Sequence, residues 1–212
     1  MRIRWHGHAC FEIGDDNIIV TDPHDGKSIG ISPPKVEGDI ILVSHDHYDH
    51  NAVREVDKEE STIVNEPGEK EVNGVKIKGI RSYHDKSEGD IRGENIIYRF
   101  ETDDTTFCHL GDLGHMPDED TVEKIGEIDF LFIPVGGNFT IGPAQAKRVI
   151  EMIEPKIAIP MHYKTSGLSL DIQTLEPFFE QYPEELKHKL GIELDFIRDD
   201  LPSETEIWAF SL

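Results

Sequence analysis

The chain has little of three features that define common protein classes. It contains only two cysteines, Cys10 and Cys108, in 212 residues, which is too few for the disulfide framework of a small secreted protein. Its apolar runs are short, and none approaches the roughly 18 residues of a transmembrane helix. The N-terminal segment also lacks the apolar stretch of a secretion signal. We therefore expect reduced thiols and a cytoplasmic protein.

Positive charge is also scarce. The sequence has 21 Lys and Arg residues against 43 Asp and Glu, a formal net charge of −22 at pH 7. Binding to a phosphate backbone requires clustered cations, so we expect a small-molecule substrate rather than nucleic acid or a membrane. Bound divalent cations would make a metal-lined cleft locally positive. An anionic substrate is therefore compatible with the acidic sequence. The sequence gives no indication of the oligomeric state.

The most informative segment runs from His45 to His50 and contains three histidines and two aspartates. Residues two apart lie about 200° apart on a helix but share a face on an extended chain. His45 and His47 can therefore share a metal ion if they leave the preceding strand in an extended conformation. Asp49 and His50 are adjacent, so the chain must turn to direct them to a neighbouring point. The spacing predicts two metal ions, with zinc expected and manganese or iron as alternatives.

Three further candidate ligands follow predicted strands. His84 comes after strand 75–83, Asp112 follows strand 105–110 at a glycine turn, and His162 follows strand 156–161. Such ligands meet at one edge of a sheet. Strands come first in the chain and then alternate with helices, which predicts an α/β fold of two sheets packed face to face with helices outside. The length fits one domain, residues 1–212.

The second half of the chain contains several predicted helices. Pro143 is expected in the first turn of a helix that ends at Ile153. Ser169–Asp171 supplies an N-cap for a helix to about Gln181. A further helix is expected from Pro183 to Leu190, ending before a glycine.

Motifs along the whole chain resemble one known family. They are Trp5–Phe11, Thr21–Pro23, His45–His50, His84–Asp85, His109–Asp112, Pro134–Gly137 and Pro160–Tyr163. Together they are similar to the metallo-β-lactamase fold superfamily of metal-dependent hydrolases, most of all to its small single-domain branch of L-ascorbate-6-phosphate lactonase-like proteins. The resemblance implies a four-layer αββα sandwich.

The resemblance also implies a set of metal ligands. The first metal ion would be held by His45, His47 and His84. The second would be held by Asp49, His50 and His162. Asp112 would bridge the two ions, and the neighbouring His109 and His115 are alternatives to His84. Asp22 matches an acidic residue that orients a ligand histidine, although a turn before Pro23 would also explain it.

The implied reaction is hydrolysis of a small ester-type bond, a lactone or a phosphodiester, by a hydroxide that bridges the metals. Asp49 and Asp112 are the expected catalytic carboxylates, and His115 or His8 is the candidate proton donor to the leaving group. Three cations flank the predicted site loops and are candidates for binding an anionic group of the substrate: Arg81, Arg92 and Lys164.

Two alternatives come from other functional classes. A flavodiiron oxidoreductase resembles this fold, but it carries an acidic residue where His47 stands, and no residues remain here for its flavin domain. A non-catalytic protein that binds a metal or a partner is the second alternative. The complete set of seven candidate ligands argues against it, because a binding module does not require all of them.

Overall fold

The computed structural model describes residues 1–212 as two β-sheets. The first sheet contains β1 (Arg2–Trp5), β2 (Phe11–Ile13), β3 (Ile19–Thr21), β4 (Ile40–Leu42), β5 (Thr62–Val64) and β13 (Glu193–Asp195). The second contains β6 (Gly68–Val72), β7 (Val75–Tyr83), β8 (Glu94–Thr102), β9 (Thr105–His109), β10 (Phe130–Pro134), β11 (Ile157–Met161), β12 (Lys187–Lys189) and β14 (Glu206–Ala209). Three α-helices accompany them: α1 (Glu119–Ile125), α2 (Pro143–Ile153) and α3 (Glu176–Phe179).

The first five strands of the chain form one sheet and most of the later strands form the other, while β13 returns to pair with β1. The first sheet runs β13-β1-β2-β3-β4-β5, and the second runs β12-β14-β11-β10-β9-β8-β7-β6. Strands β3, β4 and β5 are parallel to one another, as are β9, β10, β11 and β14. Parallel neighbours end at the same edge of their sheet, so the loops that follow them emerge close together.

The two sheets share one apolar core. Alternate residues of the first sheet face the second, and the ring of Phe11 lies 4.5 Å from that of Phe132, measured between centroids. The other face of β3 and β4 buries Val20 and Ile41 against Val56. That outer face is covered by loops and a short 3-10 helix, Val53–Glu55. The predicted α/β fold of two sheets packed face to face is confirmed. The expected four αββα layers are only partly present, because the outer face of the first sheet carries loops and this 3-10 helix in place of α-helices.

The helices accompany the parallel strands of the second sheet. The connections from β9 to β10, from β10 to β11 and from β11 to β14 all step in the same direction across the sheet. Right-handed crossovers therefore place the helices in these connections on the same outer face of the sheet. Helix α2 starts at Pro143 as predicted, and it buries Ala146, Val149, Ile150 and Ile153. This spacing forms one apolar stripe along the helix. None of the helices has the length and apolar composition needed to cross a bilayer.

Two helix predictions were wrong near the C-terminus. The helix expected to reach Gln181 is confined to Glu176–Phe179. Pro177 explains this, because proline lacks an N–H and is tolerated only in the first turn of a helix. The helix expected from Pro183 to Leu190 is instead a 3-10 turn, Glu184–Leu186, followed by β12. Pairing with β14 overrides the weak local preference for helix.

We predict that Phe132→Ala destabilises the fold strongly. Its fully buried ring joins the two sheets next to the strand ends, and loss of such a ring costs about 3–5 kcal/mol. Ile91→Ala is the control, because Ile91 is 71% exposed and should change the free energy of unfolding by less than about 0.5 kcal/mol. Equilibrium urea unfolding measures both, and equal effects of the two substitutions would contradict this account of the core.

Candidate metal centre

The site lies where loops leave the carboxyl ends of strands from both sheets. His45 comes shortly after β4, and His84 directly follows β7. Asp112 comes shortly after β9, and His162 directly follows β11. The chain therefore brings residues that are far apart in sequence to one edge of the sandwich.

The first group of side chains consists of His45, His47 and His84. Their candidate ligand atoms all lie within 4.8 Å of one another. The closest pair is Nε2 of His45 and Nδ1 of His47, at 3.0 Å. His45 and His84 are buried, while His47 lies at the rim and is partly exposed. These are the three residues that the resemblance assigned to the first metal ion.

The second group contains Asp49, His50 and His162, together with His8. The Nε2 atom of His8 lies 3.1 Å from Oδ2 of Asp49 and 3.1 Å from Nε2 of His50. The sequence identifies His8 only as a candidate proton donor. The available signal was its position just after β1, the same type of position that identified the other candidates.

His8 is fully buried, and its surroundings determine its charge. Burial, assisted by the neighbouring His162, lowers the pKa of His8 to about 3. The ring is therefore neutral at pH 7, the form in which imidazole binds metal ions. A neutral, buried ring at this pH is a poor proton donor.

Asp112 lies between the two groups. Its Oδ2 atom is 3.2 Å from Nε2 of His84 in the first group and 3.2 Å from Nε2 of His162 in the second. Its Oδ1 atom lies 3.4 Å from Nε2 of His50. One carboxylate thus faces ligand candidates from both groups, which is the arrangement expected of a bridging ligand.

The charge of Asp112 indicates what the site is built to hold. Burial opposes ionisation, but His162 and His50 outweigh it and keep the pKa of this carboxyl well below its usual range. The Oδ1 atom is buried and accepts no hydrogen bond. Buried polar atoms are normally satisfied, and neutral imidazoles with carboxylates are ligands for divalent transition metals. The donor set therefore fits divalent transition-metal ions.

His50 also responds to this concentration of carboxylates. Burial lowers its pKa, but Asp112 and Asp49 more than compensate and raise the pKa well above the ordinary value. In the metal-free site a proton on His50 therefore offsets part of the negative charge. Metal ions must displace that proton, so their affinity should fall as the pH falls.

Asp22 fixes the orientation of two histidines. Its Oδ2 atom accepts hydrogen bonds from Nδ1 of His50 at 3.0 Å and from Oγ of Ser44 at 2.7 Å. The Ser44 hydroxyl in turn lies 2.9 Å from Nδ1 of His45. With these Nδ1 atoms engaged, Nε2 of each ring points to the centre. Orientation of a histidine, rather than a simple turn before Pro23, is thus the role of Asp22.

The backbone at Asp112 is held by a buried asparagine. Oδ1 of Asn95 accepts a hydrogen bond from the Asp112 amide at 2.9 Å, and Nδ2 donates to Ser82 Oγ at 2.7 Å and to the Leu110 carbonyl at 2.9 Å. Gly111 allows this approach, since its φ is +56° and a Cβ there would lie 2.3 Å from Oδ1 of Asn95. Sequence reasoning missed Asn95, whose only signal is an amide within an apolar strand.

Two other histidines near Asp112 serve the backbone. His109 donates from Nε2 to the Ala9 carbonyl at 3.0 Å and accepts at Nδ1 from the Gly111 amide at 3.2 Å. His115 donates from Nδ1 to the Met116 carbonyl at 2.8 Å and accepts at Nε2 from the Tyr83 amide at 3.2 Å. Neither ring offers a free nitrogen to the site, so the geometry does not support the predicted proton-donor role of His115.

Comparison with known proteins identifies the class of protein that carries such a site. A family model described as the beta-lactamase superfamily domain matches residues 2–162. A UPF0173 metal-dependent hydrolase from Methanopyrus kandleri is 30% identical over 93% of this chain and 96% of its own length. A UPF0173 relative from Bacillus subtilis is 27% identical over 87% and 90%, respectively. The chain belongs to the metallo-β-lactamase superfamily and is a metal-dependent hydrolase.

Solved structures agree with this classification. A proposed Zn-dependent hydrolase of the metallo-β-lactamase superfamily from Thermotoga maritima shares 37% identity at a TM-score of 0.81, covering 99% of this chain and 97% of that one. An isothiocyanate hydrolase from Delia radicum gut bacteria has 15% identity and a TM-score of 0.67, covering 85% and 91%. The second likeness shows a shared fold alone.

We predict that Gly111→Ala damages the metal centre. The new methyl group would meet Asn95 and Ser44. The side-chain and backbone shifts that accommodate such overpacking lower the free energy of unfolding by about 1–3 kcal/mol. Both the thermal midpoint and the metal content should fall. Gly191→Ala is the matched control, because no atom lies within 4 Å of a Cβ at that position and its backbone is not left-handed. Unchanged metal content in Gly111→Ala would contradict the proposed close approach.

Proposed function

We propose that this hydrolase uses two divalent metal ions, with zinc expected, to cleave a small ester-type bond in a lactone or a phosphodiester. The observation that carries the proposal is the position of Asp112, whose carboxylate faces imidazoles from both groups at 3.2 Å. Histidine and carboxylate are suitable zinc ligands, and the Thermotoga maritima relative supports zinc through its description as a proposed Zn-dependent hydrolase.

The two groups define the ligands of each ion. We assign His45, His47 and His84 to the first ion and Asp49, His50 and His162 to the second. Asp112 contributes to both sets. We add His8 to the second set as a further donor, which its contacts with Asp49 and His50 support.

Divalent ions held in this way would lower the pKa of water towards about 7 and polarise the substrate oxygen under attack. The protein supplies the geometry. Asp112 and Asp49 fix the two positions, and Asp22 and Asn95 restrain the residues that carry the ligands. Asp112 is ionised at neutral pH, which is the form in which a carboxylate can contribute to both ligand sets.

No histidine of the site is placed to protonate a leaving group. His8 is buried and neutral, and both ring nitrogens of His115 are bonded to the main chain. This favours substrates whose leaving oxygen departs readily as an anion or is protonated by solvent. The redox alternative finds no support at this position, because His47 supplies an imidazole to the first group.

We predict up to two transition-metal ions per chain in the metal-saturated protein, measured by elemental analysis. Asp112→Ala should retain no more than one, because both sets lose a ligand. His84→Ala should lose the first ion, whereas His109→Ala should keep most of the metal because its ring bonds only to the backbone. A wild-type protein that saturates at one ion near pH 7.5 would contradict the two-ion proposal. Loss of metal in His109→Ala but not in His84→Ala would overturn the ligand assignment.

We predict metal-dependent hydrolysis when the zinc, manganese and iron forms are tested against lactones, phosphodiesters and thioesters. Activity should disappear with chelator and return with added metal. It should rise with pH, because metal-bound water ionises near pH 7 and because protons compete less with the metal ions for His50, whose pKa is raised in the metal-free site. Asp49→Ala should lower kcat at least about a hundredfold, in line with loss of groups that hold a nucleophile. Turnover that is unaffected by chelator would contradict the proposal.

A further inference from the structure

Two clefts adjoin the metal centre, and they differ in charge. The larger, of about 780 Å³, is bounded by His45 and His47. The smaller, of about 460 Å³, has His84 in its wall. The larger cleft is also lined by three carboxylates, those of Asp46, Glu66 and Glu94, against two cations, Arg81 and Arg92. Arg92 stands between the two clefts and lines both of them. The smaller cleft has a single carboxylate, Asp85.

The carboxylate of Asp85 faces its own loop, where main-chain amides solvate its charge. Its Oδ1 atom accepts hydrogen bonds from the amides of Ser87 and Gly89, and its Oδ2 atom accepts from those of Ile91 and Arg92, all within 3.1 Å. These bonds hold loop 85–93 in a fixed shape. They also place Lys86 and Arg92, the only cations of the cleft lining, beside its opening.

The three cations that flank the site have different partners. Arg81 forms an ion pair with Glu94. The Nζ atom of Lys164 donates to the Leu170 carbonyl at 2.6 Å.

Arg92 forms no ion pair. Its side chain makes only a long contact of 3.5 Å to the Asn138 carbonyl and lies over the ring of Phe139, 5.1 Å from the centroid. Its guanidinium therefore retains free donors and an unneutralised charge, in a chain whose formal net charge is −22.

We propose that the smaller cleft binds an anionic group of the substrate, a phosphate or a carboxylate, and that Arg92 is the residue that recognises it. Stacking on Phe139 fixes the plane of the guanidinium, whose fork of N–H groups matches both types of anion. Lys86 adds a second positive charge at the rim. The inference rests on the proposed hydrolytic function, since it names the substrate class of that same centre.

Binding is tested by calorimetric titration of the metal-loaded protein with inorganic phosphate and, separately, with succinate. Arg92→Gln should weaken binding of the preferred anion about tenfold or more, as expected for loss of a charge-assisted hydrogen bond. Arg92→Lys should restore part of the affinity. Arg81→Gln is the matched control and should stay within about twofold of wild type, because its charge is already paired. The anion that binds with the lower Kd to the wild type shows whether the cleft prefers phosphate or carboxylate.

A kinetic comparison uses two esters that differ in a remote charge, mono-p-nitrophenyl succinate and p-nitrophenyl butyrate. Wild type should prefer the charged ester, mainly through a lower KM, and Arg92→Gln should lose that preference while its metal content and thermal midpoint stay unchanged. Equal anion affinity in wild type and Arg92→Gln would overturn the inference. If neither ester nor any other is hydrolysed but Arg92→Gln still weakens anion binding, the hydrolytic proposal fails while the anion site stands.

Discussion

The site depends on one interaction, the placement of the buried Asp112 carboxylate among imidazoles from both sheets. A charge that is removed from water is costly unless it is compensated. Here the compensation comes from His84, His162 and His50, each within 3.4 Å of a carboxylate oxygen. These residues follow β7, β11 and β4, so the carboxylate is compensated only when both sheets are in register. Metal binding and assembly of the sandwich are therefore coupled.

A second layer of contacts restricts the freedom of these groups. Asp22 bonds to His50 and Ser44, and Asn95 bonds to the amide of Asp112. Each of these polar residues is itself buried, so loss of one leaves its partner unsatisfied as well as mobile. Such networks position ligands well when they are complete and are unfavourable when they are broken. The buried polar groups around the centre therefore hold the ligand residues in position, in addition to the ligands themselves.

Much of this arrangement was accessible from the sequence, because it is encoded locally. The run from His45 to His50 indicates metal by residue type and by its place after a strand. The seven candidate ligands meet as the resemblance implied, although their binding of metal stays a prediction. Asp22 followed from the same resemblance.

What the sequence did not reveal depends on contacts between distant segments. The place of His8 in the second group arises only when the loop after β1 packs against Asp49 and His50. The engagement of His115 by the Tyr83 amide is equally non-local. Segment 187–189 becomes a strand because β14 offers it a partner, which local propensity cannot indicate. The pairing states of Arg81 and Arg92 likewise become visible only in three dimensions.

We propose that Asp112 is a ligand of two metal ions. The most direct measurement is an anomalous difference map from crystals of the zinc-loaded protein, recorded on both sides of the zinc absorption edge. We expect two peaks, one beside His45, His47 and His84 and the other beside Asp49, His50 and His162, with the Asp112 carboxylate in contact with both. A single peak at full occupancy, or two peaks of which only one touches Asp112, would contradict the account.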